Sequence, residues 1–287
     1  MTRFIAVSNR RGGVGKTTTT MMLAYGLAVI GQQRVLVVDL DPQSSTSVVL
    51  MGSDRLRDAR GRTDPHGQTG CTAANLLVEM FGDDTVDISG YITPRIGDVL
   101  RPGGIVPHLD IIAGSYALDD REIEMVVARA SAHATIGGLF DYIQRRVGEI
   151  LRTADGAYDY VVIDCAPGLS QVVWGALRSA DFVIVPYIPD KTAEDNVGWL
   201  CNRLSKVSGA RYKTLANRAS SANQGIIESV KARYGGFDLQ IPQSIHLSNA
   251  LDYANGTRTI AQKFGAANRH VTELFNAVLE WVSSERV

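Results

Sequence analysis

Residues Ser8–Thr20 read SNRRGGVGKTTTT, and no other stretch constrains the fold as strongly. The short apolar run Arg3–Ser8 leads into it. Thr17–Ile30 follows with apolar residues at helical spacing, so the glycines occupy a strand-to-helix turn. Gly31 stops that helix, and Arg34–Asp39 (RVLVVD) reads as a second buried strand, completing a β-loop-α-β unit. Further apolar runs at Leu109–Ala113, Tyr160–Asp164, Phe182–Pro186 and Tyr212–Ala216 are each followed by a turn signal and a helix-length segment. Buried strands alternating with helices predict an α/β fold, a doubly wound and mostly parallel sheet with helices on both faces.

Residues 53–70 hold one large apolar residue among charges, glycines and a proline, which predicts a polar loop. No repeat or linker divides the chain, so residues 1–287 are expected to form a single domain. The last predicted helix, Arg269–Ser283, sets Val271, Leu274, Phe275, Val278, Leu279 and Val282 on one stripe. Its other face carries Glu273, Asn276 and Glu280 rather than the Lys/Arg of a membrane-surface helix, so it should pack on the sheet.

The composition, 45% hydrophobic and 21% charged, is that of an ordinary soluble globular chain. No apolar window is long enough to span a bilayer and no secretory leader is evident, so a cytoplasmic protein with no membrane partner is expected. Cys71, Cys165 and Cys201 are odd in number and lack metal-ligand spacing, which predicts buried thiols. The net charge of -1 hides an asymmetry, because residues 201–287 hold eleven Lys+Arg against six Asp+Glu. That surplus suits either a solvated face or a polyanion-binding patch.

Glycines at a strand-to-helix turn let backbone N–H groups converge on phosphate oxygens, where the helix N-terminus adds partial positive charge. Gly12, Gly13, Val14, Gly15, Lys16, Thr17 and Thr18 are therefore the candidate phosphate contacts, with Lys16 reaching the β/γ-phosphates and the Thr17 hydroxyl binding Mg²⁺. The usual phosphate-loop template also wants glycine at residue 10, where arginine stands. Asp164 and Asp39 end two buried strands and are candidates to support the metal. Asp41, slightly beyond its strand, is placed to hold a water for in-line attack on a γ-phosphate, or else to cap the turn before PQSS.

These motifs resemble the ParA-type partition ATPases, the deviant-Walker group that includes MinD and the nitrogenase iron protein. RGGVGKT (Arg11–Thr17) matches their K-G-G-x-x-K-[ST] loop except at its first lysine. VDLDPQ (Val38–Gln43), VIDCAPGLS (Val162–Ser170) and VIVPYIPD (Val183–Asp190) resemble the family's later motifs. LANR (Leu215–Arg218) resembles the strand end whose Asn217 would contact adenine, and IPQSIHLSNA (Ile241–Ala250) the segment, including Pro242, that closes over the base.

The resemblance implies ATP and Mg²⁺ as cofactors and a homodimer formed on ATP binding. It also implies non-specific binding of double-stranded nucleoid DNA and a ParB-like or cargo-adaptor protein that stimulates hydrolysis. The cargo would be a plasmid, a chromosome, or an assembly such as a carboxysome or chemotaxis cluster. The family's first lysine crosses to the partner's nucleotide, and here Arg11 replaces it. Three outcomes follow: Arg11 acts as a finger in trans, Lys191 reaches the phosphates instead, or the dimer hydrolyses slowly. Candidate DNA contacts, by charge and region, are Arg211, Lys213, Lys231, Arg233, Arg258, Lys263 and Arg269. A MinD-like membrane-cycling regulator and an ATP-dependent small-molecule ligase are the rival readings.

Overall fold

The computed structural model describes residues 1–62, 69–81, 86–168, 170–207, 209–254 and 257–284. Among the described residues eight strands form one sheet: β1 (Arg3–Val7), β2 (Val35–Leu40), β3 (Ile92–Thr93), β4 (Leu109–Ile112), β5 (Tyr160–Cys165), β6 (Phe182–Tyr187), β7 (Arg211–Ala219) and β8 (Gly236–Pro242). Their order is β3-β4-β2-β5-β1-β6-β7-β8, and only β3 runs antiparallel to its neighbour. The central strands are apolar on both faces, as strands covered on both sides must be.

The described helices are α1 (Lys16–Tyr25), α2 (Ser45–Gly61), α3 (Ala73–Met80), α4 (Leu118–Ala130), α5 (Ile136–Arg152), α6 (Gln171–Ser179), α7 (Ala193–Val207), α8 (Gln224–Tyr234), α9 (Ile245–Ala250), α10 (Ile260–Phe264) and α11 (Asn268–Ser284). Alternate strand residues feed two cores. Phe4, Ala6, Leu36 and Val38 pack with α3 to α8, whereas Ile5, Val7, Val35 and Val37 pack with α1, α2 and α9 to α11. The predicted terminal helix lies on the second face, where Trp281 meets the ring edges of Phe182 and Phe237. Glu273, Asn276 and Glu280 are exposed as read. Among the described residues, no helix is long and apolar enough to cross a membrane. All three cysteines are buried, as expected.

The 53–70 loop reading is corrected over its first half, since residues 53–61 continue α2. Leu56 and Ala59, with Val49 two turns before Leu56, give a sparse but sufficient buried stripe, while Asp54 and Arg57 face solvent. Gly52 breaks the helix locally with φ 76° and ψ 161°, and a Cβ there would stand 2.7 Å from the Tyr253 ring. Residues 63–68 of the predicted loop lie outside the described residues. Strands β3 and β8 escaped the sequence reading. One has two residues, and the other alternates buried Phe237 and Ile241 with polar neighbours at a sheet edge.

A buried ionic cluster ties the segment before β4 to the C-terminal helices. Asp98 accepts from Tyr25 Oη at 2.7 Å and Ala254 N at 3.0 Å, and pairs with Arg258 and with Lys263 Nζ at 2.9 Å. Burial would raise the Asp98 carboxyl, but Lys263 and these donors hold it below the usual range. Lys263→Ala, which removes one partner of a fully buried pair, is expected to cost about 3–5 kcal/mol of stability in urea denaturation. Lys231→Ala, at a half-exposed pair with Asp238, should cost no more than about 1 kcal/mol.

Candidate functional site

The site forms where β1, β2 and β5 end. Gly13 and Gly15 take left-handed φ of 72° and 93°, bending the chain so that α1 starts directly at Lys16. No side chain caps that helix, so its first N–H groups stand open to an anion. Asn217, at the end of β7, donates from Nδ2 to Val14 O at 2.8 Å and locks the loop from beneath. A Cβ on Gly15 would lie 2.5 Å from that same nitrogen, so this glycine is required by close approach as well as by φ.

Two cavities flank the loop. One, of about 610 Å³, is lined by Gly12, Gly13, Lys16, Thr17, Asp41 and Pro167. The second, of about 240 Å³, is lined by Val14, Asn217, Ile241, Pro242, Ser244 and Leu247. Gly15, Thr18, Arg218 and Leu251 line both. The predicted phosphate contacts and the predicted base contacts are thus brought together on one continuous trough.

Parallel register sets Asp39 directly opposite Asp164 on β2 and β5, both essentially inaccessible to solvent. Burial pushes both carboxyls above the ordinary carboxylate range, and for Asp164 the neighbouring charge of Asp39 adds to the shift. Their surroundings differ. Both Asp39 oxygens are engaged, Oδ2 by Ser47 N at 2.8 Å and Ser47 Oγ at 2.6 Å, Oδ1 by Asp41 N at 3.1 Å. Asp164 Oδ2 accepts from Thr46 Oγ1 and from Thr17 Oγ1 at 3.3 Å, while its Oδ1 is buried without a hydrogen-bond partner among the described residues. An orphaned carboxylate oxygen beside a threonine hydroxyl is an all-oxygen donor set that fits Mg²⁺.

Lys16 is almost wholly buried, and burial lowers its pKa against the opposing pull of Asp164 and Asp41. Its ammonium donates to Arg11 O at 3.3 Å. Asp41 Oδ1 accepts from Gln43 N at 2.9 Å, so the residue both makes the Asx-type turn and lines the larger cavity. Arg11 sits on its own chain, with Nη1 2.5 Å from Asp190 Oδ2 and 3.1 Å from Thr192 Oγ1. Burial would raise the Asp190 carboxyl, but the bonds from Arg11 and Thr192 hold it below its usual range. Lys191 beside it is exposed. Arg10, where the ordinary template wants glycine, stacks on Trp199 at 5.1 Å from the ring centroid.

Four site residues escaped the sequence reading. Asn9 accepts from Arg11 N at 3.0 Å and donates to Pro186 O at 2.8 Å, bracing the loop entrance. Thr46 and Ser47 hold the strand-end carboxylates, and Arg218 bridges the two cavities. The Ser/Thr run after Asp41 was the available signal for Thr46 and Ser47.

The candidate DNA contacts divide. Lys263 has no exposed side-chain surface and Arg258 shares its Asp98 cluster, so Lys263 is withdrawn as a surface contact and Arg258 is largely committed. Arg211 and Lys213 begin β7, and Lys231 and Arg233 end α8, whose next strand pairs with Thr214. Lys213 lies over the Phe237 and Trp281 rings, Lys231 pairs with Asp238, and Arg233 with Glu194 at 3.5 Å. Arg269 stands apart at the start of α11, donating to His270 at 3.3 Å.

A glycine cradle, a buried loop lysine and paired strand-end carboxylates on a doubly wound sheet define a P-loop NTPase fold. A family model for the AAA domain matches residues 2–217. The chromosome partitioning protein ParA of Caulobacter vibrioides is 30% identical over 260 residues, covering 86% of this chain and 83% of that protein. The chain belongs to the ParA-type partition ATPases of the ParA/MinD superfamily. Two solved structures share its fold. One is pNOB8 ParA bound to nonspecific DNA, at 18% identity, TM-score 0.68 and 100% coverage of both chains. The other is described as cobyrinic acid a,c-diamide synthase from Mycobacterium smegmatis with bound ATP analog and magnesium, at 23% identity, TM-score 0.66 and coverage of 100% and 97%.

Gly15→Ala forces a Cβ against Asn217 and a strained backbone, and is expected to cost about 1–3 kcal/mol in urea denaturation. The same substitution made in Asn217→Ala should cost measurably less, because the clash is gone and only the φ strain remains. Equal costs in the two backgrounds would remove the Asn217 contact as the reason for glycine.

Proposed function

We propose that this protein binds ATP with Mg²⁺ in the trough, hydrolyses it, and cycles between a monomer and an ATP-dependent dimer that binds duplex DNA without sequence preference. The observation that carries this reading is the convergence of Lys16, Thr17 and Asp41 on one glycine-lined cavity, with Asp164 buried behind the Thr17 hydroxyl that it accepts from. Phosphoryl transfer asks a protein for positioning and charge compensation rather than covalent chemistry, and this site is built from such groups. Backbone N–H groups of Gly12 to Thr18 hold the phosphate tail, and Lys16 adds a nearly desolvated positive charge. Asp41, fixed by its bond to Gln43 N, orients the attacking water. Thr17 and Asp164 would hold Mg²⁺, with Asp39 supporting them through Ser47 and the Asp41 turn. Bound Mg²⁺ would neutralise charge on the β- and γ-phosphate oxygens.

Arg11 supplies the contact in trans. In the single chain its guanidinium rests on Asp190 and Thr192, so dimerisation exchanges a carboxylate for the partner's phosphate, a bidentate acceptor that arginine matches well. DNA binding rests on the cations at the start of β7 and the end of α8, which would release counterions from the phosphate backbone. A ParB-like or cargo-adaptor protein would stimulate turnover, and the C. vibrioides relative, a chromosome partitioning protein, supports a chromosome as cargo. The packed α11, with its acidic outer face, favours this reading over membrane cycling.

Wild type should hydrolyse ATP and bind random duplex DNA in ATP but not in ADP, with binding that weakens as salt rises. Lys16→Ala should lose both activities. Arg11→Ala should bind ATP yet fail to dimerise or turn over, whereas Lys191→Ala should behave as wild type. Full dimerisation and turnover by Arg11→Ala would end the trans role. Salt-insensitive DNA binding, or binding indifferent to nucleotide, would end the partition reading.

A further inference from the structure

Two arginines among the described residues, Arg95 and Arg218, have positive φ, and of these Arg218 lies on the trough. Arg218 takes φ 54°, in the left-handed region that side chains other than glycine rarely adopt. The β7–β8 register shifts between Asn217 and Ala219, so Arg218 is the extra residue of a β-bulge. Bulges re-aim side chains, and they concentrate beside ligand sites. Here the effect is visible: Asn217 points under the phosphate loop to Val14 O, while Arg218 is exposed and lines both cavities. Its guanidinium has neither a hydrogen bond nor an ion pair among the described residues, in contrast to Arg11, Arg34, Arg152 and Arg258, each on a carboxylate.

We propose that Arg218 is a nucleotide-binding residue whose guanidinium grips the α-phosphate and ribose of the bound nucleotide. The inference rests on the nucleotide reading above. The larger cavity carries the phosphate-loop residues and the smaller carries Asn217 and Pro242, so the residues lining both face the joint between phosphate tail and base. That joint presents an anionic phosphate and sugar hydroxyls, which a planar fork of donors satisfies together. Gly15 and Thr18 line the same joint. The strained backbone is retained because a regular strand would turn this side chain away.

The test is equilibrium binding of ATP, ADP and adenosine to wild type, Arg218→Ala, Arg218→Lys and Arg218→Gly, with thermal melting of each free protein. Loss of the charge-assisted contact should weaken ATP and ADP by the same factor, about tenfold, in both the Ala and Gly variants. Adenosine affinity should change less than about twofold, and Arg218→Lys should recover part of the loss. Arg218→Gly, which accepts the left-handed φ without a Cβ, should melt no lower than Arg218→Ala while losing the same affinity. That separates the missing guanidinium from a damaged fold. Unchanged ATP affinity in the Ala and Gly variants, a loss confined to ATP, or an equal loss for adenosine would each overturn the assignment. Failure of wild type to bind ATP at all would instead overturn the nucleotide reading together with it.

Discussion

Two aspartates lie side by side at the buried end of a parallel sheet, and much of the molecule is arranged around them. The β2–β5 register leaves Asp39 and Asp164 no way to separate. Burying one carboxylate is unfavourable, and burying two in contact more so, because each raises the other's cost of ionisation. Three responses are visible. Ser47 and the Asp41 backbone satisfy Asp39, Thr46 and Thr17 satisfy one oxygen of Asp164, and Lys16 is drawn nearly out of solvent toward the pair. One lone oxygen is left unanswered, on Asp164. Raised carboxyls favour the folded state most at low pH and lose that advantage as pH climbs through their elevated values, so at neutral pH the ionised pair weakens the fold. A divalent cation would reverse that deficit, which makes the site a stability defect without ligand and a stability source with it.

The same edge shows how the loop is kept open. Gly15 presses on Asn217, and Asn9 spans from the loop to the end of β6. The phosphate loop is therefore braced from two strands besides its own, and among the described residues no side chain caps the first turn of α1. Arg11 and Arg10 extend outward from this braced core, one to the Asp190 loop and one to Trp199 on α7. Movement in the loop would be felt at both places.

Much of this was legible in the sequence because the informative signals are local. Strands buried on both faces read as unbroken apolar runs, and the Gly-Lys-Thr turn announces its own geometry. Asp39, Asp41 and Asp164 could be named because each ends or just follows such a run. The unread parts depend on distance in three dimensions. Lys263 looked like a surface cation and is buried, since nothing near it in sequence reveals that Asp98 waits 165 residues away. Residues 53–61 looked like a loop because one leucine and one alanine suffice to seat a helix whose other faces are wet. Arg218 was passed over because a bulge is a property of two strands in register, and Arg11's tie to Asp190 joins positions on separate loops.

The unpaired Asp164 oxygen would be the place for a cation that accompanies a nucleotide. Thermal melting of wild type and Asp164→Asn, each free and with ATP in the presence and absence of Mg²⁺, addresses it most directly. Removing the charge relieves the repulsion with Asp39, so the free variant should melt higher than wild type, yet gain nothing from Mg²⁺ when ATP is present. Wild type should melt lower when free and rise with Mg²⁺ and ATP together. If Asp164→Asn melts lower than wild type when free, and gains as much from Mg²⁺ and ATP, the paired carboxylates are not a cation site and the account fails.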